Sequence, residues 1–469
     1  MREEGEGFFE NDETQEMVIR FENMLKKNQH YFFDVFELVS IIDYYLEIGK
    51  FEAANQAVTF GCSMHPDSVE LLTKKAQVLV NHGRPMEALP ILRKLEKIEM
   101  SNPEIFILLG TVYNQIGNER EAVKHFDKSI ELAYEEREDI YLNIAAAFQQ
   151  TKNTPFAIKF LLKAYREFPD NEDILFELAF CYEKLEQYEE CIKFYQEYLD
   201  INPFSENVWY NLGIIYNKTE QYDKAIEAYD YAIAIEEDYS SAYFNKANTL
   251  ANADKYKDAI KVYHEFLQFD QQYELVYYYL GECYEKTGEY EMAVKYYLKT
   301  IELEEDFADA WYGIALINYF KQDLKNSIDH LKKAIKIDEE NADYWFLMAK
   351  ITSELSLHKQ AAYSFKKAAN LDPFDTELWI GYADFVYKHG KTIDAIKILE
   401  DLEHLISHSA KINYRLTVYC LNAKKYKKAF VYFDKGLQLD YNQHKDMLMF
   451  YPDAELYDQI RKLIKQYKK

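Results

Sequence analysis

A small side chain recurs at a spacing of about 34 residues through most of the chain, and this limits the possible folds more than any other feature. Counted from the start of each repeat it is the twentieth position, occupied by Ala54, Ala88, Ala122, Ala157, Cys191, Ala225, Ala259, Ala293, Ser327, Ala361, Ala395 and Ala429. A small residue lets two helices cross closely, because a larger side chain would push them apart. The spacing therefore predicts a tandem array of helix pairs.

A longer motif accompanies the small residues. The pattern W-x2-L-G-x2-Y, followed by A-x3-Y, is occupied by Trp209, Leu212, Gly213, Tyr216, Ala225 and Tyr229. Gly281 and Ala293 take the same places 68 residues after Gly213 and Ala225. On these residues the chain resembles the tetratricopeptide repeat family. The resemblance implies an all-α fold, a right-handed superhelical solenoid of antiparallel helix pairs.

The repeat spacing also predicts the domain organisation. Twelve repeats occupy residues 35–443 as one continuous solenoid, and only the repeat at 103–137 needs one extra residue. Helix A is expected over about the first 14 positions of each repeat and helix B over about positions 18 to 31. Five glycines are expected in the turn between them, at Gly49, Gly83, Gly117, Gly288 and Gly390.

The two ends depart from the repeat pattern. Residues 1–34 are predicted to form an acidic arm and then a capping helix with an apolar face, made by Met17, Phe21, Met24 and Leu25. Residues 444–469 are predicted to form a C-terminal capping helix with a basic end and an apolar face, made by Leu456, Ile460, Leu463 and Ile464. A terminal helix with a polar outer side is what the exposed end of a repeat array requires.

Composition excludes several classes of protein. The chain has 14 Gly and 9 Pro in 469 residues, too few turn formers to connect many β-strands. Its net charge is −26, with 55 Lys and Arg against 81 Asp and Glu. Proteins that bind nucleic acid or anionic membranes usually carry a basic face, so neither partner is expected. The acidity favours instead a protein partner with a basic segment.

The five cysteines form no C-x-x-C pair, which favours reduced thiols in a cytosol-like compartment. The N-terminal sequence lacks the basic and apolar regions of a secretory signal, and no apolar stretch is long enough to span a membrane. A cytoplasmic location is therefore expected.

No catalytic motif is present, whether a phosphate-binding loop, a nucleophile elbow or a zinc-protease helix, so we expect neither an enzyme nor a cofactor. His404 and His408 have the i, i+4 spacing of two metal ligands, but no third histidine is nearby, and no metal site is expected. Recurring acidic triplets such as 236–238 and 304–306 fall in the turns between repeats, where a solvated surface is the simplest explanation.

Two sets of helix-A residues are candidates for binding a partner. By the resemblance, position 5 lies near the concave surface, and it is aromatic at Tyr210, Phe244, Tyr278 and Tyr312. Packing between repeats explains the same aromatic stripe equally simply. By the same resemblance, asparagine at position 6 can hydrogen-bond to the backbone of an extended peptide; the candidates are Asn143, Asn211 and Asn245, with Asn248 nearby. A solvated or capping role is the alternative for these asparagines.

The favoured function is a non-catalytic protein–protein interaction scaffold that binds a peptide or protein segment in the concave groove. One alternative is an assembly factor or regulator that self-associates or acts through its termini, since the basic C-terminal helix could meet the acidic N-terminal arm of another copy. A less favoured alternative is a helical-repeat RNA-binding protein, which would need a period of about 35 residues and a basic surface.

Overall fold

The computed structural model describes residues 12–27, 29–403, 406 and 409–468, and every regular element in this part of the chain is a helix. The chain divides into two compact units, residues 1–237 and residues 238–469. Most of the predicted acidic arm, together with His404 and His408, lies outside the described residues.

Unit 1 contains a leading helix followed by six helix pairs. Its helices are α1 (Asp12–Lys27), α2 (Val35–Glu47), α3 (Phe51–Met64), α4 (Val69–Asn81), α5 (Pro85–Ile98), α6 (Pro103–Gln115), α7 (Glu119–Leu132), α8 (Arg137–Gln150), α9 (Thr154–Glu167), α10 (Glu172–Lys184), α11 (Tyr188–Ile201), α12 (Glu206–Lys218) and α13 (Tyr222–Ile235).

Unit 2 contains six further pairs and a C-terminal segment. Its helices are α14 (Ser240–Asn252), α15 (Tyr256–Phe266), α16 (Glu274–Lys286), α17 (Tyr290–Leu303), α18 (Ala308–Phe320), α19 (Leu324–Ile337), α20 (Ala342–Glu354), α21 (His358–Leu371), α22 (Thr376–Lys388), α23 (Thr392–Glu403), α24 (Ala410–Asn422), α25 (Tyr426–Leu439), α26 (His444–Phe450) and α27 (Asp458–Tyr467), with a 3-10 turn over Pro452–Leu456.

The helix boundaries follow the 34-residue spacing closely. Each A helix begins at the predicted first position, except α8, which begins one residue early at Arg137. The B helices begin at position 17 and not 18, because the A helices end at position 13 and the three-residue turn comes one position earlier than expected. Position 15 has positive φ in every repeat, both at the five predicted glycines and at Lys152, Glu186, Glu220, Asp254, Gln322, Ser356 and Lys424. One left-handed residue between the two helix caps therefore suffices to reverse the chain.

Within a repeat, a glycine on helix A contacts an aromatic ring on helix B. A Cβ added at Gly213 would lie 2.6 Å from Cε1 of Tyr229, and a Cβ added at Gly281 would lie 2.5 Å from Cε1 of Tyr297. The position-20 residues Ala225 and Ala293 are fully buried at the same crossings. The motif residues are thus explained by close approach of two helices, where any larger side chain would overpack the core.

The four tryptophans hold the connection from one repeat to the next. Each donates its indole N–H to the backbone oxygen six residues earlier: Trp209 to Pro203 at 2.9 Å, Trp311 to Glu305 at 3.2 Å, Trp345 to Glu339 at 2.9 Å and Trp379 to Pro373 at 3.2 Å. In each case this hydrogen bond links the end of one B helix to the next A helix, which explains why all four share position 4.

Both terminal caps are helical, with one difference at each end. In α1, Phe21 and Met24 are buried as predicted, but Leu25 is 44% exposed. In the C-terminal segment, Ile460 and Leu463 are buried on one face of α27, but Leu456 belongs to the preceding 3-10 turn and is 74% exposed. Helical spacing does not apply to Leu456, because α27 begins only at Asp458.

Candidate functional site

The exposed faces of the A helices form the surface where a partner was expected. Consecutive A helices touch one another within a unit, as α4 touches α6 and α16 touches α18. In the described part of the chain, no two consecutive B helices make comparable contact. The A helices therefore lie on the inner, more tightly curved side of each unit.

Unit 1 contains three of the eight candidate residues. Asn143 is exposed on α8. Asn211 donates from Nδ2 to the backbone oxygen of Asn207 at 2.8 Å, one turn earlier on α12. The ring of Tyr210 is half-buried, and its centroid lies 6.0 Å from that of Tyr229. Asn211 thus makes a hydrogen bond within its own helix, and Tyr210 packs against a core ring.

Phe244, Asn245 and Asn248 lie on α14 in unit 2. The ring of Phe244 lies among Phe266, Tyr273 and Tyr279, with ring centroids 5.4 to 6.0 Å away. Asn248 accepts a hydrogen bond from the buried hydroxyl of Tyr263 at 2.6 Å. Asn245 is half-buried beside them. These contacts match the packing role that was the alternative for the aromatic stripe.

Tyr278 and Tyr312 lie in a different environment, beside carboxylates. The hydroxyl of Tyr278 donates to Glu282 at 2.9 Å, one turn later on α16. On the same helix, Glu285 accepts from the hydroxyl of Tyr297 at 2.9 Å. The ring of Tyr312 lies 5.0 Å from that of Tyr344. We call Tyr278, Glu282, Glu285, Asp309 and Tyr312 the acidic tyrosine surface.

Asp309 connects two A helices of this surface. It lies at the start of α18 and accepts a hydrogen bond of 2.5 Å from the hydroxyl of Tyr344 on α20. Burial and, to a smaller extent, nearby carboxylates together raise the pKa of Tyr312 to about 12. Tyr312 is therefore neutral at physiological pH, and so is Tyr278, whose proton is directed at Glu282.

The carboxylates of the acidic tyrosine surface are crowded, and none of the three makes a salt bridge with a lysine or arginine in the described part of the chain. Burial raises the pKa of Glu282, and the charges of Glu285 and Asp309 raise it further. Burial likewise raises the pKa of Glu285. The positive charge of Lys286, which follows Glu285 on α16, lowers the pKa of both glutamates but does not offset the effect of burial. A cation brought to this surface would relieve the mutual repulsion of the carboxylates.

Sequence reasoning missed these carboxylates. Glu282, Glu285 and Asp309 occupy positions 9, 12 and 2 of their repeats, where no acidic motif stands out. The available signal was helical spacing: Tyr278 and Glu282 are four residues apart, and so share one helix face.

The thiols are placed as predicted. Four of the five cysteines are buried and Cys62 is partly so. Burial raises the pKa of Cys191 and of Cys283 to about 12. These thiols are therefore protonated at neutral pH and poorly nucleophilic. In the described residues, no group of three or more potential metal ligands occurs, and no helix is long and apolar enough to cross a lipid bilayer.

Tetratricopeptide repeat models match three stretches of the chain. One matches 206–239 and 275–307, a second 150–213, and a third 103–136 and 308–341. The chain contains tetratricopeptide repeats. The matched segments fall in both units; four of the five each cover one helix pair, and 150–213 runs from the end of α8 into α12.

Solved tetratricopeptide structures resemble the chain at low sequence identity. The C-terminal part of a repeat protein from Cytophaga hutchinsonii is 20% identical, covering 50% of this chain and 97% of that one, with a TM-score of 0.42. The Cut9–Hcn1 complex of the APC/C is 13% identical, covering 92% and 90%, with a TM-score of 0.39. YrrB, described as having an unusual peptide-binding site, is 18% identical, covering 39% and 94%, with a TM-score of 0.33. Comparison with curated proteins found no match.

Proposed function

We propose that the chain is a non-catalytic scaffold that binds a protein or peptide segment on its helix-A faces, and that the segment bound by unit 2 contains lysine or arginine. The observation that supports this most is the acidic tyrosine surface, where three carboxylates of the described chain accept hydrogen bonds from tyrosines and make no salt bridge. Arrays of this family are typically interaction modules, and each added repeat extends the surface available to a partner.

The chemistry of the surface suits a cationic side chain. Glu282 and Glu285 are each half-buried, so a lysine or arginine placed between them would act through a less screened medium than water. The tyrosine rings of Tyr278 and Tyr312 add flat apolar area, on which an arginine can also stack. The bound cation would lower the raised pKa values of both glutamates.

The asparagines remain candidates for holding the backbone of the same segment. Asn143 and Asn245 each have an amide that can donate and accept at once, which suits a peptide of any sequence. We propose a smaller contribution from Asn211, Asn245 and Asn248, because all three are half-buried, whereas Asn143 is exposed.

Fluorescence anisotropy with a labelled lysine–alanine peptide tests the proposal, with a glutamate–alanine peptide as the probe control. Wild type is expected to bind the lysine peptide selectively. The double variant Glu282→Gln, Glu285→Gln should weaken binding by about tenfold or more, because hydrogen bonds to charged groups contribute about 1.5–3 kcal/mol.

The matched control is Glu304→Gln, Glu305→Gln, which removes the same charge from an exposed turn between repeats. It should weaken binding much less. Equal losses in the two double variants would mean that only the net charge attracts the peptide, and would reject a site on the helix-A face.

A further inference from the structure

One turn of unit 2 carries a solvent-exposed aromatic ring. Phe374, in the turn between α21 and α22, is 76% exposed and lies between Asp372 and Asp375. The matching position of other repeats is polar, as at Asp67, Ser101, Asp170, Asp238, Gln272, Asp306, Glu340 and Asn442. Phe204 is the other exception, 80% exposed but flanked by Asn202 and Ser205.

The turn that presents Phe374 is held on both sides. Trp379 donates its indole N–H to the backbone oxygen of Pro373 at 3.2 Å. The carboxylate of Asp372 accepts from the backbone N–H groups of Phe374 at 3.1 Å and of Asp375 at 3.2 Å. The ring is therefore displayed on a preorganised backbone, which lowers the entropy lost on binding.

A cavity of about 570 Å³ lies at the other end of α21. Its apolar wall is formed by Tyr382, Phe385, Val386 and Ile398, from α22 and α23. Phe385 and Val386 are buried, and Tyr382 and Ile398 are half-buried. The wall offers aromatic and branched aliphatic contacts of the kind that a phenylalanine ring fills.

The rim of this cavity is mostly basic, although the chain as a whole is strongly acidic. Lys359, Lys391 and Lys397 line it with exposed side chains, and Asp394 and Asp401 are the carboxylates beside them. An aromatic residue flanked by acidic side chains complements an apolar wall with lysines around it.

The cavity cannot be filled by the turn of the same copy. The turn follows the last residue of α21 and the cavity lies at its first residues, and a helix of 14 residues is about 21 Å long. We propose that the Phe374 turn of one copy docks into the cavity of a second copy, with Asp372 and Asp375 facing its lysines.

Because the turn and the cavity are different surfaces, each bound pair of copies leaves one turn and one cavity unoccupied. Such a heterologous contact propagates and gives open-ended assemblies unless a ring closes. Neither the Phe374 turn nor the cavity shares a residue with the acidic tyrosine surface, so this contact does not occupy the proposed peptide site.

Sedimentation velocity of the full chain over a wide concentration range tests the proposal. The average mass of wild type should rise steadily with concentration. Phe374→Ala should shift that rise to at least about tenfold higher concentration, since burying one phenylalanine ring corresponds to one to two orders of magnitude in an association constant. Phe204→Ala is the matched control and should behave as wild type.

A mixing experiment tests the pairing itself. Lys359→Glu, Lys391→Glu keeps the turn but loses the basic rim, whereas Phe374→Ala keeps the rim but loses the ring. Each alone should be monomeric where wild type assembles, and an equal mixture should form dimers and nothing larger. Circular dichroism confirms that both variants fold. A monomeric wild type, a Phe374→Ala variant that assembles like wild type, or a mixture that stays monomeric would each overturn the proposal.

Discussion

Gly281→Ala tests how closely helices A and B must approach in the repeat core. A Cβ at this position would lie 2.5 Å from Cε1 and 2.6 Å from Cδ1 of Tyr297, well inside contact distance. The ring cannot simply move away. Its opposite edge lies against Gly313, where a Cβ would be 2.6 Å from Cε2. Its hydroxyl is also held by Glu285 at 2.9 Å.

Two opposing effects set the magnitude. Replacing glycine by alanine inside a helix stabilises it by about 1 kcal/mol, whereas overpacking a core costs about 1–3 kcal/mol. Since both edges of the Tyr297 ring are confined, we expect a cost at the upper end of that range and a net destabilisation of about 1–2 kcal/mol.

Gly61→Ala in α3 is the control, because the new methyl group would meet only the side-chain methyl groups of Leu38 and Leu71, at 3.3 Å or slightly more. Those side chains can yield, so this variant should match wild type or be slightly more stable. The assay is hydrogen exchange of the helices around each site, because long repeat arrays need not unfold in one step. Unchanged protection of α16 and α17 in Gly281→Ala, or an equal loss around Gly61 in its variant, would refute the reasoning.

Two further predictions concern the turns and the buried acids. Glu186→Gly should stabilise α10 and α11 by about 1 kcal/mol, because Glu186 has φ 57° and glycine adopts that conformation without strain. Gly288→Ala should destabilise α16 and α17 by a similar amount, because Gly288 also has positive φ. Urea unfolding followed by circular dichroism measures both effects. Stability should also fall as pH rises above the ordinary pKa of Glu282, because its raised pKa makes the folded state bind the proton more tightly than the unfolded state. In urea titrations between about pH 5 and pH 8, Glu282→Gln should make the fall in stability with pH less steep and should raise stability at neutral pH. An unchanged dependence of stability on pH would contradict the assigned burial of Glu282.

The architecture was predictable because its cause is local and periodic. A small residue at each helix crossing repeats with the array, so Ala225 and Ala293 indicate both the fold and the start of each helix. The seven left-handed residues at position 15 that are not glycine were not predictable. At Glu186 or Lys152 the closure of the turn imposes positive φ on a residue that does not itself favour it.

The candidate site was less predictable, because spacing identifies a helix face but not what packs against it. Phe244 and Tyr278 share position 5, yet Phe244 is surrounded by aromatic rings and Tyr278 donates to Glu282. The bond between Asp309 and Tyr344 joins two repeats and depends on how one A helix lies beside the next. The binding role of the asparagines stays a prediction.

Photo-crosslinking locates the bound peptide most directly. A benzophenone amino acid placed at Tyr312 should crosslink to the lysine–alanine peptide, and excess unlabelled peptide should suppress the product. The same probe at Tyr363, a 62% exposed residue of the B helix α21, should give no product above background. Equal crosslinking from both positions, or crosslinking from Tyr363 alone, would contradict a binding site on the helix-A face.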